Sequence, residues 1–186
     1  MSLCMATGPF DLLAAIDKKS RDSSSGMLVY EHAGSSWTGV LVAIGADKLM
    51  FSMRVVRELI IPPTITPVPG VQNWLKGIAN LRGTLFPVVD VEQLLGLPPG
   101  DDAAQQRRLV VLEKNGFLIG VFVSAVYGMK NFMNTDQVED QPAMSELLSP
   151  YVSKSFQNVD EHFPVLDLDL LMQDPIFNQV SLSAAV

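Results

Sequence analysis

A single cysteine, Cys4, leaves the 186-residue chain unable to form an internal disulfide, and that absence points to a reducing compartment. Histidine is nearly as scarce. Neither His32 nor His162 has a Cys, Asp or Glu at metal-ligand spacing, so no zinc site is expected. Positive charge is in deficit: 13 Lys and Arg against 20 Asp and Glu give a formal charge of −7. That balance argues against an electrostatic grip on DNA, RNA or anionic lipid. Long apolar runs are missing too. The stretch 117–126 contains Gly120 and Ser124 and falls well short of the ~20 residues of a membrane helix. No Gly-x-Gly-x-x-Gly, phosphate-loop lysine motif or Gly-x-Ser-x-Gly is found. Asp167 and Asp169 have no base or nucleophile motif beside them and read as an exposed edge or a helix N-cap. Lys76-Gly77 and Arg82-Gly83 would suit an anion cradle only with a helix N-terminus behind them, and none follows. No catalytic residue, metal or cofactor is therefore expected. With no secretory signal, the chain reads as soluble and cytosolic.

What the chain does have is apolar content, 48% of its residues, enough for one domain or two small subdomains with a real core. Residues 1–36 stand apart as a flexible tail. Within it, 9–17 suit a short helix carrying Phe10, Leu13 and Ile16, and 18–26 form a polar tether. Order begins at Trp37. Residues 37–44 read as a strand and Gly45 as part of a turn. From 48 to 54, Leu49, Phe51 and Met53 fall on one side and Lys48, Ser52 and Arg54 on the other, a hairpin with one dry face. Residues 55–61 continue extended until Pro62-Pro63, which offer no ladder donor. Further on, 107–114 and 117–123 flank the favoured hairpin turn Asn115-Gly116. Strands are also expected at 126–132 and 163–168, and short helices at 91–95 and 168–172. Many short strands at turn-rich spacing argue for an all-β barrel architecture with few helices. The clearest internal break is 97–106. Nine methionines, among them Met50, Met129, Met133 and Met172, suit either gap-filling or adaptable interfaces.

Punctuation and apolar order are densest between 69 and 90. Pro69-Gly70 opens a turn. Val71, Trp74 and Leu75 have the spacing of one short helical turn, and Gly77 reads as its stop. Residues 78–81 and 84–90 then read as strands joined by a tight turn at Arg82-Gly83, which places Arg82 at an exposed tip. Pro69-Gly70, Trp74, Lys76-Gly77, Ala79-Asn80-Leu81-Arg82-Gly83, Pro87-Val88 and Asp90 together resemble the central signature of the CheW-like adaptor family, whose members couple bacterial chemoreceptors to a histidine kinase. Trp74 and the Ser36-Trp37-Thr38-Gly39-Val40 start are more similar to the adaptor of pilus-based (twitching) chemosensory systems than to the flagellar version.

The resemblance implies two small five-stranded SH3-like β-barrels packed on a shared core. Residues 37–186 would then form one family domain of two subdomains, with a crossover near 97–106. It also implies a non-catalytic, cofactor-free adaptor. Its partners would be the regulatory domain of a CheA-type histidine kinase and the cytoplasmic tip of a methyl-accepting chemoreceptor, which recruit it to membrane-bound arrays. Glu58 would pair with Arg82. Glu58, Lys76, Gly77, Asn80, Arg82 and Gly83 form the partner-binding or tip-organising set, and structural and partner-facing roles stay equally open for the pair. Two departures are visible: Met50 stands where a glycine often follows the first turn, and the tail after Ile176 lacks a periodic helix, which puts C-terminal docking in doubt. The competing reading is a stand-alone regulatory or small-ligand-binding β-barrel. A large closed apolar cavity would favour it, and two exposed apolar patches would favour the adaptor.

Overall fold

Hairpins with two-residue turns set the local architecture. Arg82 and Gly83 (φ +51° and +89°) and Asn115 and Gly116 (φ +51° and +81°) each place two successive residues in the left-handed region, the turn whose twist matches the flanking strands. The computed structural model describes residues 36–98, 107–139, 143–158 and 161–181. The expected N-terminal tail, with its helix over 9–17 and tether over 18–26, lies outside them. Eleven strands are described: β1 (Ser36–Ile44), β2 (Asp47–Ser52), β3 (Val56–Ile60), β4 (Leu75–Leu81), β5 (Thr84–Val89), β6 (Arg108–Lys114), β7 (Phe117–Val123), β8 (Ala125–Met133), β9 (Gln137–Val138), β10 (Val152–Asn158) and β11 (Glu161–Leu166). They make a six-stranded sheet in the order β8-β1-β2-β11-β10-β9 and a five-stranded sheet in the order β3-β6-β7-β5-β4. The expectation of five strands in each half thus becomes six and five, the extra one being the two-residue β9.

The chain changes sheet at residues 53–55, after β2, and again at Ser124, between β7 and β8. The break at 97–106 is not a crossover, because β5 before it and β6 after it belong to the same sheet. Ser124 is held at its crossing by a hydrogen bond from its N–H to the Ala43 carbonyl, 2.8 Å.

Three apolar clusters hold the sheets. One lies within the six-stranded sheet and contains Trp37, Met50, Phe132, Phe156 and Phe163. Another lies within the five-stranded sheet around Phe86, Val88, Leu109 and Val111. The third and largest draws on both sheets, with Ile44, Leu49 and Phe51 from one and Val89, Leu112 and Val121 from the other. A shared core between two curled sheets is the arrangement that the resemblance implied. At its centre β2 is consequently dry on both faces. Leu49 and Phe51 face the shared core, while Met50 turns into the aromatic cluster, where Phe156 stacks on Trp37 at 4.5 Å. The expected one-sided hairpin is corrected here: β2 ends at Ser52, and Met53 lies exposed in the turn beyond it.

Residues 71–75 are not helical. Val71 bridges Ser181, and Gln72 donates from its N–H to the Val180 carbonyl at 2.9 Å, so the returning C-terminus shapes this segment. Gly77 is not a helix stop either. It sits inside β4 at a register shift with φ +134°, and a Cβ there would lie 2.1 Å from the Thr66 carbonyl oxygen. The C-terminal docking left in doubt by the sequence is present. The short helix Pro175–Asn178 brings Phe177 onto Trp74, with ring centroids 5.4 Å apart. The two helices expected from the sequence form at Val91–Leu95 and Leu168–Gln173, capped by Asp90 and Asp167.

Candidate functional site

The β4–β5 turn projects Arg82 into solvent, with its side chain 79% exposed. The turn is braced from within, because the Gly83 N–H donates to Asn80 Oδ1 at 2.8 Å. It is also braced from outside, by Arg82 Nη2 donating to Glu58 Oε1 at 2.8 Å. Glu58 belongs to β3, at the far edge of the sheet from β4, so the five-stranded sheet curls until its edges come within ion-pair reach. The chain leaving β3 helps the curl, since Thr66 exchanges backbone hydrogen bonds with Ile78 of β4 at 2.8 and 2.9 Å. An arginine at φ +51° is uncommon, and Arg82 takes it because the two-residue turn needs positive φ at both central positions. Exposed apolar residues lie on the same sheet: Leu59 on β3, Ile61 just beyond it, and Leu85 on β5 next to the turn.

The six residues singled out from the sequence therefore divide. Glu58, Asn80, Arg82 and Gly83 meet at the tip, whereas Lys76 and Gly77 lie at the other end of β4. Lys76 donates to Gln93 and stands 3.7 Å from the Asp90 carboxylate, at the margin of a buried ionic cluster. Asp90 is fully buried and takes two hydrogen bonds from Arg107, at 2.8 and 3.2 Å. Arg107 reaches Glu92 as well. Glu92 in turn accepts from the Gly45 N–H at 2.9 Å and from the Ser124 hydroxyl. The cluster thus ties the β1–β2 turn and the Ser124 crossing to the helix Val91–Leu95. Burial works against the Arg107 charge, but hydrogen bonds and attraction from Asp90 and Glu92 outweigh it and raise the guanidinium pKa. Sequence reasoning missed Glu92 and Arg107. The available signal was acidic Glu92 in the first turn of a helix that Asp90 begins; nothing local pointed to Arg107 across residues 97–106.

A second exposed apolar group lies on the other sheet. On the edge strand β8, Met129 and Met133 share one face and Tyr127 lies near them at the β-bulge opposite Leu41 and Val42, all more than 40% exposed. An apolar cleft of about 290 Å3 opens beside the stacked pair Trp74 and Phe177, and Phe117, Ile119 and Met172 also line it. Asp167 and Asp169 form no acid pair around a cleft: Asp167 caps its helix by accepting from the Asp169 N–H at 2.9 Å, and Asp169 is paired with Lys114. Among the described residues, no group of three or more His, Cys, Asp or Glu side chains is arranged to hold a metal. None of their helices is long and apolar enough to cross a membrane.

Comparison with known proteins agrees with this geometry. The family model described as the CheW-like domain matches residues 38–175. Protein PilI of Pseudomonas aeruginosa is 34% identical over 150 residues, covering 80% of this chain and 83% of PilI. The chemotaxis protein CheW of Thermotoga maritima is 28% identical over 102 residues, 53% of this chain and 66% of that protein. The crystal structure of the scaffolding protein TtCheW from Thermoanaerobacter tengcongensis superposes with a TM-score of 0.65 at 20% identity, covering 78% of this chain and 94% of that one, and so shares the fold. The match over 38–175 takes in both sheets, the Glu58–Arg82 tip and the Asp90 cluster, and the chain belongs to the CheW-like family.

Proposed function

We propose that the chain is an adaptor that holds the regulatory domain of a CheA-type histidine kinase and the cytoplasmic tip of a methyl-accepting chemoreceptor at the same time. The observation that carries this reading is the presence of two exposed apolar groups on different sheets, Leu59, Ile61 and Leu85 on one and Tyr127, Met129 and Met133 on the other. Separate faces on one rigid core let two partners be bound without competing, and each raises the effective concentration of the other. The charged tip at Arg82 and Glu58 gives the first face its polar marker. No reaction at this surface is needed, since the output is the geometry in which the kinase is held. The chain works in the cytoplasm and reaches membrane-bound arrays through its receptor. The 34% identity to PilI supports a pilus-based, twitching-motility system over a flagellar one.

The test is reconstitution of the purified chain with a kinase regulatory domain and a receptor hairpin fragment, read by analytical ultracentrifugation. A ternary complex is expected. Displacement of one partner by the other would overturn the two-face reading. The apolar cleft beside Trp74 favours a second reading, a site for a small apolar ligand. Its volume of about 290 Å3 lies at the lower bound of ligand pockets, roughly 300–1,000 Å3, which leaves the adaptor preferred.

A further inference from the structure

A third feature has the opposite chemistry to the apolar cleft. A hollow of about 400 Å3 opens where the turn after β2 meets the start of β10 and the end of β11. Three of its ionisable lining side chains are cations, Arg54, Lys114 and Lys154, and one, Asp167, is a carboxylate. In a chain of formal charge −7, such a concentration of positive charge runs against the average of the surface.

Neutralisation inside the hollow is incomplete. Lys114 is paired with Asp169, outside the lining. Asp167 has one oxygen committed to its helix cap. Arg54 is exposed on the 53–55 turn, and among the described residues no carboxylate lies within ion-pair distance of its guanidinium. Lys154 is half-buried and fixed in place, with its ammonium 5.3 Å from the Trp37 ring centroid and 5.5 Å from that of Phe156. Burial, and then the neighbouring Arg54 charge, push the Lys154 pKa down, with Asp167 opposing them. Two cations thus line one hollow and repel each other, one over an aromatic face and the other at the rim with no carboxylate in reach among the described residues. An anion between them would relieve that repulsion. The hydroxyls of Ser52 and Ser153 line the same hollow and offer neutral donors.

We propose that this hollow is an oxyanion site, in which a carboxylate or phosphate group is held between Arg54 and Lys154. The guanidinium fork takes two oxygens of such a group, and the ammonium supplies a point charge. The group can arrive as free phosphate or as the acidic side chains of a protein segment, which present the same chemistry. None of these residues belongs to the Glu58–Arg82 tip or to the two apolar faces, so the site stands or falls apart from the adaptor reading.

The experiment titrates the full chain with inorganic phosphate and, separately, with a triglutamate peptide, each against sodium chloride of matched ionic strength. The indole N–H resonance of Trp37 reports on the hollow, and that of Trp74 serves as the internal control. A saturable shift of Trp37 with Trp74 unmoved is expected. Arg54→Gln and, independently, Lys154→Met should each weaken it by about tenfold or more, the loss of one charge-assisted contact. Saturation by triglutamate at lower concentration than by phosphate, with triglutamine inert, identifies an acidic segment as the source; the reverse order identifies free phosphate. Among the described residues Arg54 has no side-chain partner to lose, so that variant tests the site with the fold intact, and its melting curve verifies this. No shift beyond the chloride control, or equal binding by wild type and both variants, overturns the proposal.

Discussion

Arg82 and Glu58 meet at 2.8 Å although the β4–β5 turn and β3 lie at opposite edges of the five-stranded sheet. The pair reports the curl of the whole sheet while presenting its charge outward. Because Arg82 is 79% exposed, the pair adds only about 0–1 kcal/mol to stability. With so small a share in stability, bracing and recognition are separated by binding and not by melting alone.

Charge reversal at the tip separates bracing from recognition. Arg82→Glu should melt within about 1 kcal/mol of wild type yet weaken kinase or receptor binding by about 2–5 kcal/mol. If Arg82 only braces the tip, Glu58→Ala should reproduce the defect, and the double variant should be no worse than either single one. Calorimetric titration of all three variants decides. Native binding by Arg82→Glu removes it from the recognition surface.

Gly77→Ala should be far more damaging than Gly70→Ala. Both positions have positive φ; at Gly70 (φ +75°) that alone costs about 1–2 kcal/mol for alanine, and Gly77 at φ +134° lies further outside the left-handed well. Only at Gly77 would the new Cβ also meet a backbone carbonyl, that of Thr66 at 2.1 Å; at Gly70 nothing lies within 4 Å. Urea denaturation of the two variants should show the difference, and equal midpoints would contradict this packing of Thr66 against β4.

Removing Arg107 leaves Asp90 and Glu92 as buried carboxylates without their main counter-charge. Arg107→Met should therefore cost about 3–5 kcal/mol, the range for breaking a buried ion pair from one side. Lys76→Met should cost less, because Lys76 stands 3.7 Å from Asp90 while Arg107 donates to it twice. Thermal melts of both variants test the ranking.

Phe177→Ala should loosen the C-terminal clasp over Trp74. Phe177 is only partly buried, so a loss of about 2 kcal/mol is expected, below the 3–5 kcal/mol of a fully buried phenylalanine. Trp74 emission should shift to the red as water reaches the indole. An unchanged spectrum and melt would show that the clasp contributes nothing.

The same C-terminal segment should be sensitive to pH. The Tyr151 hydroxyl donates to Asp174 Oδ2 at 2.8 Å. The Ile176 N–H, and then Tyr151, hold the Asp174 pKa below its ordinary 3.8. A depressed folded-state pKa contributes stability above the unfolded value and loses it as pH falls through the folded one. The advantage of wild type over Asp174→Asn should therefore be full at neutral pH and shrink below about pH 4. Burial and the Asp174 bond raise the Tyr151 pKa to about 12, so its contribution should fade from about pH 10 to 12 as the phenol ionises. Melting of wild type, Asp174→Asn and Tyr151→Phe across both ranges checks the two signs.

Turn chemistry and short-range periodicity were legible from the residues alone. Asn115-Gly116 and Arg82-Gly83 announce their hairpins, the β-branched runs announce most strands, and the 69–90 pattern points to the family, whose resemblance implies the Glu58–Arg82 pairing. These signals act over a few residues, or are carried by a motif, and need no knowledge of the remaining chain. Sheet membership was not local. The pairings of β1 with β8 and of β3 with β6 decide that the chain crosses at 53–55 and Ser124, and the parallel pairing of β5 with β7 keeps 97–106 within one sheet. The pairing of β2 with β11 and the aromatic cluster beside it make Met50 as dry as Leu49 and Phe51, where alternation alone suggests a single buried face. Gly77 departs from the helix stop its sequence suggests because its φ of +134° answers to Thr66, eleven positions away. Trp74 takes its place from Phe177, and Asp90 its counter-charge from Arg107. Buried aromatic stacks and buried ion pairs are chosen by whichever distant segment arrives beside them, and only the folded chain shows which segment that is.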